Sequence, residues 1–459
     1  MKVKKTHARG NFVHYFALFL VLVAAAGFVG DRSVSASKPT NAITWDGGGL
    51  TNNWSEAANW SGDVVPGTSD DVIFDATSAK DAAIDINIAV SSIKIDTGYT
   101  GTITQSDAAS IAVSGCNGRP CFEQNGGTFD GSANTITLNN QFSGGLTMRG
   151  GVFNGGSGDI SLTGNPANFS LQGGTFTSTS GNLTTRGTLG FQGTSVFQPG
   201  NGTVTISPIN SFSFMATDAN HTSVTFNNLV FNNADGANFD IGQRVIVTGN
   251  LSLNDGTIGQ NGSTLEARGG VSISPNFDGG VVTLEIVNGS GPRSFTLDSS
   301  LHLPKLVIND PNVTVNTSGS GAVAFPHQLI LNAGIFNQTN DLVINAIGIG
   351  GGFCFVQNGG TFNGSNNTIT LNSNGFGSIR LTGGTFNGGS GDINLVGAPA
   401  DNASIILQGG TFRSTSGNLT VPGQFGFQGA GTVFLHNGGT VTLNPGQNQF
   451  FTADSNHPT

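Results

Sequence analysis

Apolar and polar residues alternate in short runs along most of the chain. In "NTITLNN", Ile136 and Leu138 alternate with Thr135 and Thr137, the period of two that turns one face of a strand inward and the other outward. The runs "GTVTI", "SVTFNNLVF", "RVIVTGNLSL" and "NLTV" repeat this pattern, and "NGG", "GGS" and "SGN" turns separate them. Outside an apolar run near the N terminus nothing shows a helical period. The pattern therefore predicts an all-β fold of short strands.

These runs recur at a fixed interval, marked by a Phe after a Gly-rich turn. Phe129, Phe153, Phe176 and Phe197 are spaced by 24, 23 and 21 residues, and Phe362, Phe386, Phe412 and Phe434 by 24, 26 and 22. Above this period sits a larger one, because "FEQNGGTFDGSANTITL" from Phe122 matches "FVQNGGTFNGSNNTITL" from Phe355 at 14 of 17 positions. A unit of about 23 residues holds three short strands with their turns, and stacking such units pairs each strand with its equivalent about 4.8 Å away. The prediction is a right-handed parallel β-helix, a β-solenoid of roughly 15 coils, with Phe, Ile, Leu and Val inside and Thr, Ser and Asn outside. Asn suits the turns and can form ladders between coils. A β-propeller is the alternative fold, although its blades need about 40 residues each.

The chain divides accordingly. Residues 1–36 read as a signal peptide, with Lys2, Lys4, Lys5 and Arg9 before the apolar run from Tyr15 to Gly30 and a small-residue cleavage site after Ala36. Residues 37–100 hold Trp45, Trp54 and Trp60 and suit a cap over the first coil's open core; a carbohydrate-stacking platform is the sharper reading of three indoles among Asn and Asp. Residues 101–459 form the β-helix, with the duplication spanning about 116–348 and 349–459. The second copy stops where the first continues into "SVTFNNLVF", so the sequence is expected to be a fragment of a longer chain.

Charge narrows the function classes. The chain carries a net charge of -10, and the portion after residue 36 carries 12 Lys/Arg against 26 Asp/Glu. Nucleic acid is therefore not an expected partner, since phosphate neutralisation needs clustered positive charge. Anionic membrane surfaces are disfavoured for the same reason, and no membrane insertion is expected beyond the signal. In an exported chain, Cys116 and Cys121 around "NGRP" are either a local disulfide or two small apolar side chains at a coil corner.

Candidate chemistry is sparse. "NGGSGDISL" and "NGGSGDINL" suggest a calcium-binding nonapeptide, with Asp159 and Asp392 as metal candidates, but both aspartates arrive one position early; plain turns are the simpler reading and no cofactor is expected. Asp218, Asn220 and His221 recur as Asp454, Asn456 and His457; an Asp/His pair can do acid/base work or bind a ligand, yet D-x-N-H is also good turn material. Between the copies Glu123 becomes Val356 and Asp130 becomes Asn363, whereas Gly, Phe and Thr persist. The scaffold is retained and the charges are not, which argues against catalytic carboxylates. Thr135/Thr137 and Thr368/Thr370 are too irregular between coils for an ice-binding face.

The export signal, the "WDGG…NWS…ANW…PG…DDVIF" segment and the repeated "GGTF…I-x-L" coils resemble bacterial surface proteins of the autotransporter-passenger-like and filamentous-haemagglutinin-like kinds. That resemblance implies a secreted or surface-displayed β-helix, often an adhesin, and supplies no catalytic residues. The expected function is a non-enzymatic stalk or adhesive surface whose polar face binds glycans or cell-surface proteins, with self-association as a further partner mode. Alternatives are a polysaccharide lyase or hydrolase on the same scaffold and a purely structural matrix or sheath protein.

Overall fold

A computed structural model describes residues 42–454 apart from 117–118, 140–144, 165, 209–214, 234–237, 240–243, 259–261, 288, 290, 347–351, 374–376, 398–402 and 445–450. The signal expected at 1–36 lies outside the described residues, as do Asn456 and His457. The chain is an all-β solenoid of about 14 turns. Among the described residues no helix is long and apolar enough to cross a membrane.

One turn shows the construction. Phe122–Gln124, Thr128–Asp130 and Ile136–Asn139 are its three strands, and each pairs in parallel with the next turn, through Phe122 and Leu146, Phe129 and Phe153, and Ile136 and Ile160. A propeller would instead pair neighbouring strands antiparallel within a blade; here partners lie a full turn apart, which rules out that alternative.

The recurring Phe residues form a column. Phe129, Phe153 and Phe176 stack at 4.8 Å steps with ring planes within 17° and 13° of parallel, and Phe362, Phe386 and Phe412 stack at 4.7 Å within 3°. The interstrand spacing itself brings the rings into contact, and each pair adds about 0.5–1.5 kcal/mol to what burial alone contributes. The preceding Gly-Gly explains how the chain turns between two faces so close to its neighbour. Gly384 has φ +79°, and a Cβ there would lie 2.5 Å from backbone atoms of Gly359 and Gly360 in the turn below. Only glycine fits both the left-handed backbone and that approach.

Regular stacking begins earlier than expected: Asp71–Phe74 already pairs with Ser92–Ile95, inside the segment assigned to the cap. In front of it Trp45, Trp54 and Trp60 are fully buried, edge-on to one another at 5.0 and 4.5 Å and within 6.2 Å of Phe74. Lys80 ties this segment down, its Nζ donating to the carbonyls of Gly47 (3.2 Å) and Gly49 (2.7 Å) and to Asn59 Oδ1 (2.9 Å).

Three faces run along the solenoid, and the two copies do not occupy them alike. The first face carries Phe122–Gln124 and continues to Met215–Thr217. The second carries Thr128–Asp130 and reaches Val196–Gln198, where the Phe197 ring meets Phe226 at 5.4 Å. Ser223–Phe226 thus continues the second face and opens an eleven-stranded sheet that includes Phe355–Gln357, the twin of Phe122–Gln124. The twin strand therefore lies one face further round. At the changeover the third face's sheet ends in Val271–Ile273 and a new one begins at Arg293–Asp298, leaving an apolar cavity of about 30 Å³ between Val271, Ile273, Phe295 and Leu297.

Candidate functional site

The Asp218–His221 turn sits between two coils. Asp218 Oδ2 accepts the Gly193 N–H at 2.6 Å, while its Oδ1 accepts the N–H groups of Asn220 (2.9 Å) and His221 (3.2 Å). His221 Nδ1 lies 2.8 Å from Asp218 Oδ1, and Nε2 lies 2.9 Å from the Ser195 carbonyl and 3.2 Å from Ser195 Oγ. These are the distances of a Ser–His–Asp triad, but the roles are different. Both ring nitrogens face an acceptor oxygen, so both must carry a proton. Ser195 Oγ donates to the Gln192 carbonyl at 2.9 Å, and Ser195 is buried.

The charges follow from that geometry. The Gly193 N–H, with help from His221, holds the Asp218 carboxyl down at about 2. Burial works against a charged His221, but its bonds to the Ser195 carbonyl and to Asp218 outweigh it and raise its pKa. The trio is an ionic clamp joining two coils. In the second copy Asp454 Oδ2 likewise accepts Gly429 N–H at 2.6 Å, and Thr432 Oγ1 donates to the Gln428 carbonyl at 2.6 Å.

The other expected site residues have structural partners. Trp45, Trp54 and Trp60 offer no exposed ring face, so they are not a sugar platform; burying three indoles at the start of the core is what excludes it. Asp159 Oδ1 accepts the Asn182 N–H (2.8 Å) and Nδ2–H (3.2 Å), and Asp392 Oδ1 does the same for Asn418 at 2.8 and 3.1 Å. The aspartates cap the next coil's backbone, and among the described residues no three His, Cys, Asp or Glu side chains converge on a metal position. Cys116 and Cys121 form a disulfide, in a loop whose Arg119 reaches both oxygens of buried Asp71 at 3.2 and 3.1 Å. Cys354 is buried, its Sγ 3.3 Å from the Asn372 carbonyl.

The outward rows hold the clearest candidate surface. On the face after the changeover, Asn337 Nδ2 donates to Asn316 Oδ1, Asn363 to Asn337 and Asn387 to Asn363, each at 2.9 Å. An amide has two donors and two acceptor lone pairs, and the ladder uses one of each at Asn337 and Asn363. The remainder can bond a partner without disturbing the column.

Twin strands display opposite surfaces. In the first copy Arg149 pairs with Glu123 (2.9 Å), and in the coil before it on the same face Lys94 pairs with Asp96 (2.9 Å). At the equivalent positions the second copy and the coil before it have Ile330, Asn332, Val356 and Thr382, where Asn358 Nδ2 donates to Asn332 Oδ1 (2.8 Å) and Thr382 Oγ1 to Asn358 Oδ1 (2.6 Å). Arg380 stands between Val356 and Ile406 in this row, its guanidinium 5.5 Å from the Phe353 ring and its buried Nε without an acceptor. Sequence alone does not single out Ser195 or Arg380. The first lies 26 positions before His221, and the second takes its meaning from strands a turn away. The only sequence signal was the Glu123-to-Val356 change beside it. No family model matches the chain, and no curated protein or solved structure is detectably similar to it.

Proposed function

We propose that this is an exported, non-enzymatic surface protein, adhesin-like or stalk-forming, of the autotransporter-passenger-like or filamentous-haemagglutinin-like kind. It holds glycans or proteins on the outer faces of its solenoid. The observation that carries this reading is the in-register ladder Asn316, Asn337, Asn363 and Asn387, which presents pre-aligned amides at the interstrand repeat. Rigid, pre-paired side chains lose little entropy on binding. Triad-type hydrolysis at this turn would require Ser195 Oγ free and His221 Nε2 unprotonated, and both are committed to carbonyl groups.

The test is binding of the purified chain to immobilised glycans, to intact cells and to itself. Binding is expected, and Asn337→Ala with Asn363→Ala should weaken it several-fold while costing roughly 1 kcal/mol of stability each. A chain that binds none of these surfaces refutes the adhesive reading and leaves the matrix or sheath role.

A further inference from the structure

The strip around Arg380 carries a charge pattern that the rest of the molecule does not explain. Five described arginines meet a carboxylate: Arg119 with Asp71, Arg149 with Glu123, Arg244 and Arg268 with Glu266, and Arg293 with Asp310. Arg186, Arg380 and Arg413 have no carboxylate partner among the described residues, and of these three Arg380 alone has its Nε buried without an acceptor. Its six-strand neighbourhood, Lys305–Asn309, Leu329–Leu331, Phe355–Gln357, Ile379–Leu381, Ile405–Leu407 and Phe425–Phe427, contains Lys305 and Arg380 but no Asp or Glu. On a chain of net charge -10, this is a locally cationic strip.

Its remaining chemistry is amphipathic. Ile330 and Ile406, both half-buried, are the apolar surface of the row through which Arg380 projects, Val356 between Ile330 and Arg380 being buried, and the Asn332–Asn358–Thr382 ladder runs beside it. A partner that fits must give hydroxyls to the amides, C–H surface to the aliphatic row and a carboxylate to the guanidinium fork. Two cations alone are too few for a phosphate backbone. A second copy of this face would set Arg380 into an apolar row that offers it no carboxylate.

The geometry points to an acidic polysaccharide as the occupant, lying along the solenoid axis with a carboxylate on Arg380. This rests on the binding reading above and names the partner class for one strip. In the first copy the same positions are closed by the Arg149–Glu123 pair, so that face is not a second site of this kind.

The probe is an oligogalacturonate, compared with an uncharged dextran oligomer by calorimetry on the full chain. The uronate is expected to bind more tightly, in a salt-dependent way, and Arg380→Gln to weaken it about 10- to 100-fold, as loss of a bond between charged groups does. Arg149→Gln, which removes an arginine already paired, should change it less than about twofold. Val356→Glu writes the first copy's carboxylate beside Arg380 and is expected to abolish binding, which keeps the test open if Arg380→Gln does not fold. Equal binding of dextran and uronate overturns the assignment, as does full uronate affinity in both Arg380→Gln and Val356→Glu. Sedimentation showing this face closed by a second copy overturns it too. If the chain binds other glycans or cells but not uronate, this assignment alone falls; if it binds nothing, the wider reading falls with it.

Discussion

The two copies of the duplicated block agree inside and disagree outside. Phe129 and Phe153 correspond to Phe362 and Phe386, stacked in the same way on different faces, yet the outward positions of Glu123 and Arg149 correspond to Val356 and Thr382. An inward residue must fill a fixed volume against neighbours above and below, so most changes there cost several kcal/mol. An outward residue need only suit its own row. The Lys94–Asp96 and Arg149–Glu123 pairs are surface ion pairs, worth about 0–1 kcal/mol each, and could be exchanged for an aliphatic and amide row at little cost in stability. The core records the shared origin, and the surface records separate uses.

Three experiments break or sharpen this contrast. The largest effect is expected from Phe153→Ala and its twin Phe386→Ala, each costing about 3–5 kcal/mol in urea unfolding followed by hydrogen exchange. Unequal losses in the two copies would break the claim that inward positions are equivalent. Next comes reduction of Cys116–Cys121, which closes a loop found in the first copy only. Chain entropy sets its contribution at about 2 kcal/mol, and the loss should be confined to exchange rates near Asp71 and Arg119. Unchanged protection there would show that the Arg119–Asp71 contact holds the corner without the bridge.

The smallest effect is the pH dependence of the Asp218–His221 clamp. His221 is raised, so its contribution is complete below about pH 6.5 and is lost as pH rises through its folded value; Asp218 is lowered to about 2, so its contribution is complete above about pH 4 and is lost toward pH 2. Local stability of this coil should therefore be greatest between those limits and fall on the alkaline side. His221→Gln should flatten the alkaline limb. An unaltered limb in that variant would show that the imidazolium is not the group responsible.

Much of this architecture was legible in the sequence. The Phe spacing gave the coil, and Ile136/Leu138 alternation gave the strand face, because both follow from local period. Turn chemistry was legible as well, since Gly-Gly before Phe marks a backbone only glycine adopts. The candidate site was less so. Asp218 and His221 were visible as a repeated phrase, but Ser195 belongs to the turn below, and nothing in the sequence states which residues stack. Arg380 was hidden for the same reason. Asp71–Phe74 shares the composition of the tryptophan segment yet pairs as a coil strand, which composition alone does not reveal. The offset between the copies depends on strand lengths between Ser223 and Phe325, where the Phe marker is lost.

That offset has a mechanical meaning. The block of 233 residues spans about ten turns and one face, so copying it turned the equivalent surface to a new side of the rod. A straight polymer held along one strip cannot lie along its twin as well. The copies therefore gain no avidity on a single strand, since simultaneous engagement is what creates effective concentration. What the geometry permits instead is a spacer touched from two directions, joining two separate objects rather than gripping one object twice.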